Sequence, residues 1–147
     1  MRGSSGILVR TLTVSFLLTL SMRLTRACSC QDETPQEKYC NAQFVALVEV
    51  LGIVRDEDFR LDYRIRVVEE FKVNDDDRHA LYSGIVTTMG SRLSCYLALH
   101  TNSTYLIGGH ISESIPSAIY CDLHVEWGKL SPEQRSTFNN MRCPAKV

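Results

Sequence analysis

Leu61-Asp-Tyr-Arg-Ile-Arg-Val67 alternates strictly between apolar and charged residues, so an extended chain there carries one apolar and one charged face. Just upstream, Phe44-Val-Ala-Leu-Val-Glu-Val-Leu-Gly-Ile-Val54 is β-branched and apolar enough to be a mostly buried strand. Arg55-Asp-Glu-Asp58 between them reads as a charged turn, and Asn74-Asp-Asp-Asp-Arg78 as a second. Shorter strands are expected at Gly84–Met89, Tyr105–Ile111 and Ala118–Val125, with Gly108-Gly109 suggesting a bulge or bend. Pro35 suits the start of a short helix running toward Cys40. A second helix is expected from the N-cap Ser131 to about Met141, with Pro132 in its first turn and Gln134 completing a capping box. Trp127 and Phe138 read as core aromatics beneath it. Five short strands with a helix at each end suggest a small closed or partly open β-barrel, an arrangement that removes most sheet edges.

The chain has 147 residues, 44% of them hydrophobic, and a formal net charge of −1. Those values fit one globular domain and exclude a disordered chain. The near-neutral balance also argues against a nucleic-acid partner, which calls for a clustered basic face. The totals conceal an asymmetry. Met1–Ala27 holds four arginines (Arg2, Arg10, Arg23, Arg26), no acid and the apolar run Thr11–Met22, and it ends in the small residues Thr25 and Ala27. A basic start, a short apolar stretch and a small-x-small ending describe a secretory signal peptide. The run is shorter than the roughly 20 residues that a membrane-spanning helix needs. The expected division is therefore a signal peptide over 1–27 and a mature domain over 28–147. Removing four arginines leaves 12 basic against 17 acidic residues, a mature charge of −5. The expected product is a secreted monomer with no membrane span.

All six cysteines, Cys28, Cys30, Cys40, Cys95, Cys121 and Cys143, follow the expected cut. In an exported domain of this size they read as a disulfide framework, with fifteen possible pairings. Cys28 and Cys30 are too close to bridge each other, but in an extended segment they point to the same side. Both can therefore staple one terminal segment to neighbouring strands. Cleavage after Ala27 makes Cys28 the first residue and fixes a free α-amino group in place. A zinc site built from these cysteines with His79, His100, His110 and His124 lacks the usual ligand spacing. No nucleophile elbow, phosphate loop or His-Glu-x-x-His motif points to an enzyme. Asn102-Ser103-Thr104 is an N-glycosylation sequon in a polar turn.

The order of these features resembles the tissue inhibitors of metalloproteinases, within the wider netrin-like modules. The resemblance rests on Cys28-Ser29-Cys30 at the expected mature start, Pro35-Gln36, and Cys40-Asn41. It continues through Tyr105-Leu-Ile-Gly-Gly109, Cys121-Asp122 with Trp127 beyond, and Leu130-Ser131-Pro-Glu-Gln134 leading to Cys143. It covers the mature chain but one of the family's usual two domains, so functions of the second are not carried over.

The resemblance implies a five-stranded barrel of the oligonucleotide/oligosaccharide-binding type, with short flanking helices and bridges Cys28–Cys95, Cys30–Cys121 and Cys40–Cys143. It also implies a secreted, extracellular inhibitor of matrix metalloproteinases or related zinc endopeptidases. Cys28 would bind the protease's catalytic zinc through its main-chain N and O, and Ser29 would enter the primary specificity pocket. Cys30, Ser94 and Cys95 would line the contact, and Asn102 would carry a glycan. No cofactor of its own is implied; the zinc belongs to the target. The alternative is a non-inhibitory netrin-like module that binds matrix or another secreted protein. Asp32 and Thr34 stand where the family commonly has Pro and His, and Asp32 with Glu33 places negative charge beside the expected zinc-binding edge.

Overall fold

The two long strands bury their faces differently, and that difference builds the barrel. In the computed structural model, which describes residues 28–144, β1 (Phe44–Glu57) and β2 (Arg60–Lys72) form an antiparallel hairpin. Phe44, Ala46, Val48 and Val50 belong to one core together with Leu61, Tyr63 and Ile65. Val45 and Leu47 belong to a second cluster with Tyr39, Leu106, Leu123 and Phe138. The start of β1 is apolar without alternation because it has the barrel interior on one side and helices on the other. Complete burial of such side chains stabilises by roughly 1.5–3 kcal/mol each.

The hairpin continues into a ring. β2 pairs with β3 (Ile85–Met89), which runs parallel to β5 (Ile115–Ser117). β5 pairs with β4 (Thr104–Ser112), and β4 returns to β1. Five strands thus close a barrel, and β6 (His124–Glu126) adds to β4 beside the ring. The barrel agrees with the sequence expectation, but the strand expected over Ala118–Val125 divides. Its ring strand lies earlier, at Ile115–Ser117, and pairing with β4 resumes only at His124. Between them the chain turns near Cys121, where the Ile119 N–H donates to the Asp122 carboxylate at 2.8 Å.

The charged stretches also depart from expectation. Arg55–Glu57 continue β1 instead of turning, because this arm of the hairpin is exposed and its charges stay hydrated. Asn74 is the N-cap position of α2 (Asp75–Leu81), not part of a turn. Three aspartates in the first turn and Arg78 with His79 in the last complement the helix dipole. Leu81 is fully buried and joins the barrel core. Gly108 and Gly109 make no bulge; they pair in register with Val45 and Phe44. A Cβ on Gly109 would lie 2.1 Å from the Ser117 main-chain oxygen, so the glycine is what lets β5 approach β4. The irregularities fall in the β1–β2 ladder instead.

α1 (Pro35–Asn41) and α3 (Pro132–Asn139) open with capping boxes of one form, Thr34-Pro-Gln-Glu37 and Ser131-Pro-Glu-Gln134. The Glu37 N–H donates to the Thr34 hydroxyl at 3.2 Å, and the Thr34 N–H returns to the Glu37 carboxylate at 2.7 Å. The Thr34 main-chain N–H, then its hydroxyl, holds the Glu37 carboxyl below the ordinary range. At the other end of α1 the Lys72 ammonium donates to the main-chain oxygens of Cys40 (2.7 Å) and Ala42 (2.5 Å). Trp127 packs edge-on against Phe71, 5.8 Å between ring centres, in the outer cluster that holds Phe138. The export-signal reading of 1–27 lies outside the described residues.

Candidate functional site

Three disulfides arrange the rim. They link Cys28 to Cys95, Cys30 to Cys121 and Cys40 to Cys143, the pairs that the resemblance implies, with Cα–Cα distances of 5.0, 5.3 and 5.4 Å. The first two lie side by side, with the Cys28 sulfur 3.6 Å from that of Cys121. One extended tripeptide is therefore fastened to two separate loops. Ser29, between the fastenings, is exposed, while Cys28 and Cys30 are half-buried. Cys28, Cys30 and Cys121 form the one group of clustered metal-ligating atoms among the described residues. Each of those sulfurs is in a disulfide, so none offers a thiolate to a metal.

The loop between β3 and β4 carries exposed Ser94 and half-buried Cys95, and it is held at its start by the exposed hairpin turn and beyond Cys95 by core residues. At its start, a Cβ on Gly90 would lie 2.4 Å from the Asp58 oxygen and 2.5 Å from that of Glu57, so the loop leaves flush against the hairpin turn. The Arg92 guanidinium donates to Asp58 at 2.7 Å, and the Ser91 hydroxyl donates to Asp56 at 2.8 Å. Beyond Cys95 the chain dives inward. The Leu97 N–H donates to the Thr88 hydroxyl at 3.0 Å. The buried Tyr63 hydroxyl donates to the Leu97 oxygen at 3.0 Å and accepts from the Leu99 N–H at 3.1 Å. Burial raises the Tyr63 phenol above its ordinary pKa, so it stays protonated and able to donate. The two halves of the rim are also joined directly: the Tyr120 N–H donates to the Cys95 oxygen at 3.1 Å.

The structure thus brings Cys28, Ser29, Cys30 and Cys95 together, with Ser94 next to Cys95. Asn102 is elsewhere, in an exposed turn at the head of β4. Sequence reasoning missed Tyr63, Thr88 and Gly90 as the residues that fix the Cys95 loop. Tyr63 was visible only as an apolar-face residue, and nothing in the alternation marks its hydroxyl as a main-chain anchor. A shallow cleft of about 500 Å³ beside the rim is lined by Cys30, Asp32, Glu33, Lys38, Tyr120 and His124. Its acidic residues include Glu33, which accepts from the Asn41 side-chain amide at 2.7 Å.

The fold is thus a closed barrel with the segment Cys28-Ser29-Cys30 pinned across one rim by two bridges and Ser29 exposed between them. The chain belongs to the tissue inhibitor of metalloproteinase family, whose family model matches residues 26–146. Among similar proteins is metalloproteinase inhibitor 2 of Bos taurus, 28% identical over 158 residues, covering 97% of this chain and 70% of that protein. The Homo sapiens metalloproteinase inhibitor 2 is 29% identical over the same shares of the two chains. Metalloproteinase inhibitor 3 of Gallus gallus is 26% identical, covering 90% of this chain and 65% of that one. The family description and the relatives' names are those of inhibitors, not enzymes. Among the described residues no helix is long and apolar enough to cross a membrane.

Proposed function

We propose that the chain is a secreted inhibitor of zinc metalloendopeptidases of the matrix metalloproteinase class, acting in the extracellular space or matrix. The observation that carries this reading is the double fastening of Cys28-Ser29-Cys30 across the rim. Export with cleavage after Ala27 makes Cys28 the terminus. Its unprotonated α-amine and its carbonyl oxygen together form a five-membered chelate with the open position of a protease zinc. The reference pKa of such an amine is about 7.7–8.0, so zinc displaces its proton near neutral pH. Ser29, exposed between the bridges, enters the primary specificity pocket, while Ser94 and Cys95 line the adjoining cleft. An unconstrained terminus loses roughly 1–2 kcal/mol per residue in becoming ordered. Here the two bridges fix the segment before binding, so that loss is largely avoided.

The zinc is the target's, and this chain performs no reaction; it occupies the site. The acidic mature domain, with Asp32 and Glu33 near the rim, favours proteases whose clefts are basic. Export also exposes the Asn102 sequon to glycosylation. N-terminal sequencing of the secreted product, followed by titration against a panel of matrix metalloproteinases, tests the reading. A start at Cys28 with stoichiometric inhibition of at least one enzyme is expected. A correctly started protein that leaves every enzyme active at micromolar concentration contradicts it and favours a non-inhibitory binding module.

A further inference from the structure

The pairing of β1 with β4 stops at Glu49. One further main-chain link follows: the Asn102 N–H donates to the Val50 oxygen at 2.8 Å, and the Val50 N–H donates to the Ser103 oxygen at 3.0 Å. From Leu51 onward β1 pairs in the sheet only with β2, so among the described residues its other edge carries no strand. That edge is apolar where it begins: Leu51 is 44% exposed, Ile53 55% and Val54 45%. An open apolar edge is a template for another chain, and proteins protect such edges with charges, bulges or a cover. The far end here has charges, Arg55, Asp56 and Glu57. Register shifts at Val50/Gly52 and Ile53/Arg55 disturb the ladder but leave the three apolar side chains uncovered.

Asn102 stands at the head of this uncovered stretch. It is exposed, and its φ of +61° lies in the left-handed region that asparagine tolerates better than most side chains. It is also the first residue of the sequon Asn102-Ser103-Thr104. Leu51–Val54 span only about 10 Å at 3.3 Å per residue, a length comparable to the first few sugars of a glycan. We propose that an N-linked glycan on Asn102 covers the open apolar edge of β1 from Leu51 to Val54 and so prevents two copies from pairing edge to edge. The sugar is large, hydrated and unable to continue a β-ladder, so it closes the one part of the edge that charges do not protect. The inference rests on export through a glycosylating compartment and is independent of protease inhibition.

The test uses protein secreted from a glycosylating host, compared with the same protein treated under native conditions with peptide N-glycosidase. That enzyme leaves aspartate at position 102, which also tolerates a left-handed backbone, so the fold is kept and matched thermal unfolding curves verify it. Sedimentation velocity between about 1 and 100 µM, the range where exposed edges associate, reads the outcome. The glycosylated protein is expected to stay at monomer mass throughout. The treated protein is expected to rise toward about twice that mass, as a symmetric pair requires. Ile53→Lys in the treated protein is expected to restore the monomer. Absence of carbohydrate on Asn102 by mass spectrometry overturns the proposal. So does a treated protein that remains monomeric, or association that Ile53→Lys and Leu51→Lys leave unchanged. None of these results bears on metalloproteinase inhibition, which the same preparations report separately.

Discussion

Tyr63→Phe removes one oxygen atom and breaks both main-chain contacts that hold the Cys95 loop over the core. The Tyr63 hydroxyl donates to the Leu97 oxygen and accepts from the Leu99 N–H, at 3.0 and 3.1 Å. Both leucines are buried, so neither main-chain group gains water in exchange. An orphaned buried polar group costs roughly 1–3 kcal/mol, and two such groups, with partial relaxation of the loop, give an expected loss of about 2–4 kcal/mol. The phenylalanine ring keeps the apolar contacts, so no cavity term adds to this. Equilibrium urea unfolding of the oxidised protein measures it, with the midpoint falling and the slope unchanged. Tyr39→Phe is the control: that hydroxyl makes one bond, to the Phe71 oxygen at 3.1 Å, and its loss is expected to cost about 1 kcal/mol. If Tyr63→Phe costs less than about 0.5 kcal/mol, or no more than Tyr39→Phe, the claim that this hydroxyl anchors the loop is wrong.

Three further outcomes follow from the geometry. Asp62 is 4% exposed, and burial pushes its carboxyl up. Hydrogen bonds from Arg60 and Thr87 and the charges of Arg60 and Arg55 outweigh that, so the net direction is down. Its stabilisation is therefore present above the ordinary carboxylate pKa of about 3.9 and lost as pH falls through the lower folded value. Asp62→Asn is expected to lower stability by about 1–3 kcal/mol at pH 7 and to flatten the acid side of the stability curve, as urea midpoints across pH will show. Gly109→Ala drives a Cβ against the Ser117 oxygen and is expected to cost about 1–3 kcal/mol by thermal unfolding, more than Gly108→Ala, whose nearest contact is 3.1 Å. Ser29→Arg is expected to reorder the ranking of inhibited enzymes with the melting temperature unchanged, because Ser29 is exposed and makes no core contact.

Sequence periodicity was a good guide wherever one physical cause acted alone. Leu61 to Val67 alternates because one face meets the barrel core, and Phe44 to Val50 does not because both faces are covered. It misled where charge was read as a turn. Arg55–Glu57 lie in an exposed hairpin arm that tolerates charge, and Asp75–Asp77 are the first turn of a helix whose dipole favours them. Asp62 falls on the charged face of the alternating stretch and yet is buried, because Arg60, Thr87 and Arg55 converge on it from β2, β3 and β1. The capping box at Thr34-Pro-Gln-Glu37 was legible in the same form as the one recognised at Ser131, and went unread. The Cys28–Cys30 segment was legible as a pair of staples. The tyrosine and threonine hydroxyls that set its opposing loop were not, since their role depends on which main-chain groups the loop brings inward.

The central claim is that a free α-amine on Cys28 is the inhibitory group, and one added residue tests it. The secreted protein beginning at Cys28 and a variant carrying a single alanine ahead of it keep the same bridges, so their stabilities should match. Inhibition constants against the most sensitive metalloproteinase of the panel should differ by about a thousandfold or more, about 4 kcal/mol of lost chelation. Equal inhibition by the two proteins would show that the terminus does not reach the zinc, and the account of the rim as a zinc-capping edge would fail.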